Sequence, residues 1–144
     1  MRKILIVLVP ALAIVAGGAA AWMQRDGTVQ TPQPEAGGTE LVELPNQFVV
    51  PLTRGDDIAG LIAVSLAVEV AEGHSEATLA QEPRLRDAFL QVLFDHARSG
   101  GFAGDFTGGT SMGELRAHLA LTAREVGGPA LKSVLITNLA RQDF

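Results

Sequence analysis

Cysteine and tyrosine are absent from this chain, and Trp22 is its single tryptophan. Without a thiol there is no disulfide framework, no cysteine-ligated zinc, no thiol nucleophile and no residue to carry a lipoprotein anchor. With so few large aromatic rings, we do not expect a platform that stacks sugars or bases. Residues 43–144 carry 13 acidic and 8 basic side chains with no basic stripe. Because nucleic-acid binding needs several clustered cations, we expect no nucleic-acid partner.

Motifs that would indicate catalysis or metal binding are also missing. His74, His96 and His118 form neither an H-x-x-x-H nor an H-E-x-x-H spacing, so we expect no metal site. The glycine-rich segment 100–111 lacks the lysine of a phosphate loop, and it follows a predicted helix where a dinucleotide fingerprint needs a strand. No G-x-S-x-G elbow occurs. We therefore expect no catalytic residue and no cofactor, and we predict that the chain is not an enzyme.

The longest apolar run lies at the start of the chain, from Ile4 to Met23, and contains no charged side chain. At about 1.5 Å of helical rise per residue, twenty residues cover roughly 30 Å, the hydrocarbon thickness of a bilayer. Arg2 and Lys3 precede the run, and such a cation bias keeps the N-terminus in the cytoplasm. The sequence thus predicts a membrane span over Ile4 to Trp22, in contact with lipid, and an exported C-terminal domain.

A cleaved secretory signal is the alternative interpretation of the same segment. Residues 19–21 are all alanine and satisfy the A-x-A cleavage pattern, which would leave a soluble product beginning at Trp22. The length of the run and the position of Trp22 favour the uncleaved anchor. Within the span, Ala13, Gly17 and Ala21 recur every four residues, a pattern that favours self-association of membrane helices. Small residues are also common in membrane helices in general and at signal cleavage sites, so the spacing alone does not decide whether the helix self-associates.

The composition divides the chain into three segments. Residues 1–23 hold the cytoplasmic start and the predicted span, and residues 24–42 are rich in proline and glycine with almost nothing apolar. A segment of that composition cannot bury enough surface to order itself, so we interpret it as a flexible linker. Residues 43–144 then leave roughly 100 residues, enough for one domain.

Alternating side chains predict a hairpin at the start of that domain. Phe48–Val50 is a short strand, and a turn follows at Arg54–Asp57. The segment Leu61–Val70 places large aliphatic residues at every second position, which is typical of a half-buried strand. We expect these two strands to pair across the turn.

Two helices and a final strand follow. Pro83 marks the first helix, Gly100 ends it, and its apolar stripe comprises Leu85, Ala88, Phe89, Val92, Leu93 and His96. Phe102 and Phe106 are expected to anchor the connector to the second helix. That helix should begin with a capping box formed by Ser111 and Glu114 and stop at residues 127–129. With a closing strand at Ser133–Arg141, the order is β-β-α-α-β, a small α+β domain.

Three segments resemble the flagellar basal-body-associated FliL family, of which the chain would be a divergent member. Asn46–Leu52 is similar to a family strand of the type φ-F-V-V-N-L. Leu61–Val70 followed by Glu82–Leu90 is similar to the run L-x-V-x-L-x-L-E and P-x-I-R-D-x-φ-φ. Val134–Gln142 resembles the closing V-x-F-T-x-F-φ-φ-Q, with aliphatic residues at both aromatic positions.

The resemblance implies a fold, a location and a set of partners. The fold would be similar to the stomatin/prohibitin (SPFH-like) type and would assemble as a homo-oligomeric ring. The chain would lie in the bacterial inner membrane with a periplasmic domain at the flagellar basal body. There it would stabilise or activate the stator proteins MotA and MotB and so support torque and motility. Two alternatives remain: a general envelope scaffold of the same fold, and a signal-cleaved periplasmic binding or hydrolytic protein.

Overall fold

Strand β3 (Asp57–Ala71) is the central element of the structure, a computed structural model that describes residues 37–144. The alternation at Leu61–Val70 predicted this strand, and its pairing extends it in both directions. The remaining elements are β1 (Thr39–Glu43), β2 (Phe48–Arg54), α1 (Ser75–Ala80), α2 (Glu82–Arg98), α3 (Gly109–Gly127) and β4 (Leu131–Asp143).

All pairings in the sheet are antiparallel and involve β3. Its first half pairs with β2 and its last five residues pair with β1. The register of β4 overlaps both, from Gly60 opposite Asp143 to Val70 opposite Leu131. Because a strand has only two edges, β4 occupies one edge of β3, and β1 and β2 lie end to end along the other.

One face of the sheet, which we call the helix face, forms the core. Ile62, Val64, Leu66, Val68 and Val70 of β3 are fully buried there, as the period of two predicted. The two long helices cover this face with their apolar stripes, and the largest buried side chains they contribute are Leu85, Phe89, Leu93, Leu115 and Leu119. The opposite side, called the outer face below, is not covered by a helix within residues 37–144.

Several predicted boundaries are confirmed. The β2–β3 hairpin turns at Gly55, whose φ of 64° is the left-handed conformation that glycine adopts freely. Proline lies in the first turn of α2, and α3 stops at Gly128 with φ 84°. The α+β class is confirmed as well.

The predicted order β-β-α-α-β is wrong in two places. Thr39–Glu43 was assigned to the linker but forms β1, so the ordered domain begins before the expected boundary at residue 43. Pairing with β3 orders this segment, and Val42 is its buried contribution to the core. Ser75–Ala80 forms α1, which was not predicted because a helix of six residues is too short to show an apolar period.

The predicted capping box is also wrong. Helix α3 begins at Gly109 with Gly108 as its N-cap residue, and no side chain caps it. Ser111 therefore lies inside the first turn, and its hydroxyl donates to the carbonyl of Gly101 instead. The connector before α3 is anchored by Phe102, which is buried, and by the half-buried Phe106.

The predicted span Ile4–Trp22, with Ala13, Gly17 and Ala21, lies outside the described residues, as does most of the predicted linker. Of the helices found between residues 37 and 144, none has the length and apolar character needed to cross a bilayer.

Candidate assembly surfaces

Arg86 fastens the start of the domain to helix α2. Its Nε donates to Glu82 one turn earlier, at 2.7 Å, and its Nη2 donates to the carbonyl of Pro45 in the β1–β2 loop. The guanidinium also lies over the ring of Phe48, 4.5 Å from the centroid. One arginine thus joins helix, loop and β2, a combination that a planar group with several donors can achieve.

His96 and Ser111 connect the end of α2 to the start of α3. The imidazole of His96 is only 8% exposed and lies edge-on against Phe102, with 4.8 Å between ring centroids. Ser111 Oγ donates to the Gly101 carbonyl at 2.6 Å and lies 3.2 Å from His96 Nε2. Because the serine hydrogen is used by the carbonyl, the neutral ring holds its own proton on Nε2 and donates it to Oγ.

The electrostatics of His96 follow from its location. Burial lowers the pKa of His96, and the nearby carboxylate of Glu114 opposes that effect by a smaller amount. His118 lowers the pKa further through like-charge repulsion. The ring is therefore held in its neutral form as a structural group.

A groove of 510 Å³ between α2 and α3 contains two of the three histidines. His96 and His118 line it together with Asp95, Glu114 and Glu125. His74 is elsewhere, before α1, where Nδ1 contacts the carbonyl of Glu72. Across residues 37–144, no three histidine, aspartate or glutamate side chains converge as metal ligands.

The Ser111–His96 pair also lacks the arrangement of a nucleophile and its base. A catalytic serine must donate to the imidazole, whereas this hydroxyl donates to a backbone carbonyl. In the part of the chain that the structure describes, His96 has no hydrogen-bonded carboxylate to orient it. The pair therefore fastens the glycine-rich connector to two helices.

Arg141 performs a similar task from β4. Its Nη1 donates to the carbonyl of Phe102 at 2.9 Å, and its guanidinium lies 5.7 Å from the centroid of the Phe106 ring. Asp143 pairs with it at 2.8 Å. The connector between α2 and α3 is thus held from three directions, by α2, α3 and the last strand.

The family comparison covers almost all of this architecture. The family model described as flagellar basal body-associated protein FliL matches residues 41–142, from within β1 to within β4. The chain belongs to the FliL family. A search among curated proteins found no match. Membership gives the chain a role associated with the flagellar basal body and motility.

The FliL-like segments seen in the sequence coincide with the structural contacts described above. Glu82–Leu90 contains both Glu82 and Arg86 and starts the helix that holds the β1–β2 loop. Val134–Gln142 forms most of β4 and includes Arg141. Arg86 is the arginine of the P-x-I-R-D resemblance, but the sequence alone did not indicate which groups Arg86 or Arg141 would contact.

The outer face of the sheet is the largest feature that sequence reasoning missed. Its exposed apolar side chains come from three strands, with Leu41 54%, Val49 53% and Leu135 37% exposed. Leu61, Ala63 and Ala67 of β3 lie between them by register. Over strand residues 39–51, 61–71 and 133–142, the charged side chains on this face are Glu43 and Glu69. Exposed apolar side chains on a sheet face with so few charges favour protein–protein contact.

Proposed function

We propose that this FliL family member is a single-pass inner-membrane protein whose periplasmic domain forms a ring and engages the stator proteins MotA and MotB. Residues 1–23 hold the chain in the membrane, 24–38 act as the linker, and the remainder supplies the ring. The fold of this domain is of the stomatin/prohibitin (SPFH-like) type. The role is mechanical, sustaining torque by stabilising stator units, and needs no catalytic residue or cofactor.

The observation that carries this proposal is the family match over residues 41–142, combined with an exposed sheet face. A ring scaffold needs surfaces for its own copies and for its partner. The outer face offers apolar area with few charges, as expected for the surface that meets the stator. Membrane tethering raises the local concentration, so weak contacts add up to a stable assembly.

Stator capture tests the proposal directly. The full-length tagged chain is expressed in a motile strain that lacks its own copy, and MotA and MotB are measured in the solubilised eluate. We expect wild type to recover both and Val49→Glu on the outer face to recover far less. Leu121→Glu is the matched control, because Leu121 is 56% exposed on α3, which covers the opposite face of the sheet.

Motility supplies the second readout. Deletion of the gene should reduce swimming in viscous medium, with restoration by wild type and by the Leu121 variant. Normal motility of the deletion strain under load, or equal stator recovery with both variants, would overturn the proposal.

A further inference from the structure

The two outer strands of the sheet each have an open edge. Strand β4 lies along one side of β3, and β1 lies along the other. Over residues 37–144, neither β1 nor β4 pairs with any strand except β3. An open edge presents unpaired N–H and C=O groups and is a template for a further strand. The sheet is therefore open at two opposite sides.

The two sides differ in charge. Beside β1, the residues 37–44 and 72–80 contain Glu40, Glu43, Glu72 and Glu76 and no lysine or arginine. Beside β4, residues 126–137 contain Lys132 and no acid of their own, and Arg124 reaches over from α3 to donate to the Lys132 carbonyl at 2.9 Å. The carboxylate of Glu69 on β3 accepts from Ser133 on β4 and from Thr39 on β1, so it does not distinguish the two sides. We call these the acidic corner and the basic corner. Such opposite charges favour contact between unlike edges and disfavour contact between like ones.

The direction of the backbone groups fits a contact between unlike edges. Both β1 and β4 are antiparallel to β3, so they run parallel to each other. The bond from Leu44 N–H to Leu66 shows that even-numbered residues of β1 bond to β3, which leaves the groups of Leu41 directed outward. On β4, the bond from Ala71 N–H to Ala130 and the bulged register leave Val134 and Ile136 directed outward.

A second copy placed at this edge, with its strands running in the same direction, would bring its β4 beside β1 in a parallel arrangement. In a parallel pair, a residue with outward groups bonds to the two residues that flank its neighbour. Leu41 would then bond to Val134 and Ile136, and its side chain would lie beside Leu135. Both leucines are exposed on the outer face, and this contact would bury them together.

We propose that copies of this chain join head to tail through these edges, with the acidic β1 corner of one copy against the basic β4 corner of the next. Such a heterologous contact closes into a ring when the rotation between copies allows it. The pairing deepens the proposed ring and rests on it. It also leaves most of the outer face free for the stator.

Disulfide cross-linking in the full-length chain tests the geometry, because the chain contains no other cysteine. We expect Leu41→Cys combined with Leu135→Cys to give a ladder of dimers, trimers and larger species after mild oxidation of membranes. Leu41→Cys with Ser133→Cys tests the register one repeat away. The single variants should give no ladder, and a mixture of the two single-cysteine chains should stop at dimers.

Two outcomes would overturn the pairing. Efficient dimers from Leu135→Cys alone would indicate a symmetric contact between two β4 strands. Absence of a ladder from both double variants, while these variants still support swimming, would exclude the edge contact without raising doubt about folding.

Charge reversal provides an independent test in the double-cysteine background. Lys132→Glu or Glu40→Lys should each lower the ladder yield by about two- to fivefold, the change expected of one charge pair near the surface, because the proposed register places Glu40 beside Val134, two residues from Lys132. The combined reversal should restore it. Arg84→Glu is the control, because Arg84 is exposed on α2 at neither edge. Equal loss with all three reversals would contradict the assignment.

The ladder and stator recovery separate this inference from the proposed function. A ladder without stator recovery would overturn the stator role and leave the edge pairing standing. Stator recovery without a ladder would leave the function standing and overturn the pairing.

Discussion

Individual polar side chains fasten the loops of this domain to its helices. Arg86 holds the β1–β2 loop, and Arg141 holds the connector between α2 and α3. His96 and Ser111 close the other side of that connector. Arg86, Arg141 and Ser111 donate to backbone carbonyls of the loops, and His96 donates to Ser111 Oγ. These bonds stabilise loops that have little apolar content of their own.

The buried imidazole of His96 should make folding stability depend on pH. Its pKa is lowered in the folded state, mainly by burial, so the unfolded chain binds the proton more tightly. Stability is then fully present above the ordinary histidine pKa of about 6.5 and is lost as the pH falls below it towards the folded-state pKa. Urea denaturation at pH 7.5 and 5.5 should show lower stability at the acidic value.

Two histidine substitutions provide the control for that measurement. His96→Gln should flatten the pH dependence in this window, whereas His74→Gln, at an exposed position before α1 and outside the groove, should leave it in place. Glu40 and Glu69 also have lowered pKa values, chiefly through hydrogen bonds from Ser75 and Ser133. Their contribution is lost only as the pH falls through about 4.5 and lower, outside the histidine window. An unchanged slope in His96→Gln would contradict the assignment.

Replacing Arg86 by either alanine or lysine should lower the stability of the domain. Arg86→Ala removes a hydrogen bond to Pro45 and the stacking on Phe48, and we expect a loss of about 1–3 kcal/mol. Lysine lacks the planar fork, so Arg86→Lys should recover little of that loss. Arg84→Ala is exposed and should change stability by less than about 0.5 kcal/mol. Full rescue by lysine would show that charge alone matters.

At the scale of elements, apolar periodicity predicted the strands and helices that have a long repeating pattern of buried side chains. The strand at Leu61–Val70 and the stripe from Leu85 to His96 were identified because each places four or more buried side chains at the spacing of its period. Strand β1 has one buried residue, Val42, so its ordering comes from pairing with β3 and leaves no pattern to find. Helix α1 likewise has a single buried side chain, Thr78, so its sequence also shows no apolar period.

The candidate surfaces were harder to predict than the fold. Alternation identified Leu61, Ala63 and Ala67 as facing away from the core, but it could not show whether another layer covers them. The predicted capping box is wrong because α3 begins at Gly109, which places Ser111 inside the first turn instead of at the N-cap position. Its hydroxyl is then free to donate to the Gly101 carbonyl. Side-chain contacts between distant segments, such as Arg141 with Phe102, depend on tertiary structure that no local pattern contains.

Substituting alanine at two glycines, Gly101 and Gly113, should change the stability of the domain in opposite directions. A Cβ on Gly101 would collide with the His96 ring, so Gly101→Ala should destabilise the domain by about 1–3 kcal/mol. Gly113 lies inside α3 with open space around it, so Gly113→Ala should stabilise by about 0.5–1 kcal/mol. Denaturant midpoints measure both changes. Equal shifts of the same sign would contradict the packing around His96.

At the scale of the molecule, residues 37–144 contain a closed core. The sheet and both long helices contribute to it, and the buried side-chain nitrogen and oxygen atoms in this part of the chain all have hydrogen-bond partners. Its stability therefore depends on contacts made within that range.

A fragment of residues 37–144 should accordingly fold alone. We expect a single cooperative thermal transition with coincident far- and near-ultraviolet signals, because one core unfolds as a unit. Removal of residues 131–144 from the fragment should abolish the transition, since β4 contributes Leu131 and Val134 to that core. A broad, non-coincident transition in the intact fragment would show that the core needs residues outside it.

The pairing of β3 with β4 also determines when, during synthesis, the domain can fold. These strands join residues 61 positions apart at Val70 and Leu131, and 83 apart at Gly60 and Asp143. Closing such long loops is slow, and β3 keeps an unpaired apolar edge until residue 143 has left the ribosome. Until β4 has been synthesised, the domain lacks two core side chains and the strand that covers this edge, which favours aggregation of the nascent chain. The last strand therefore decides when the domain can fold.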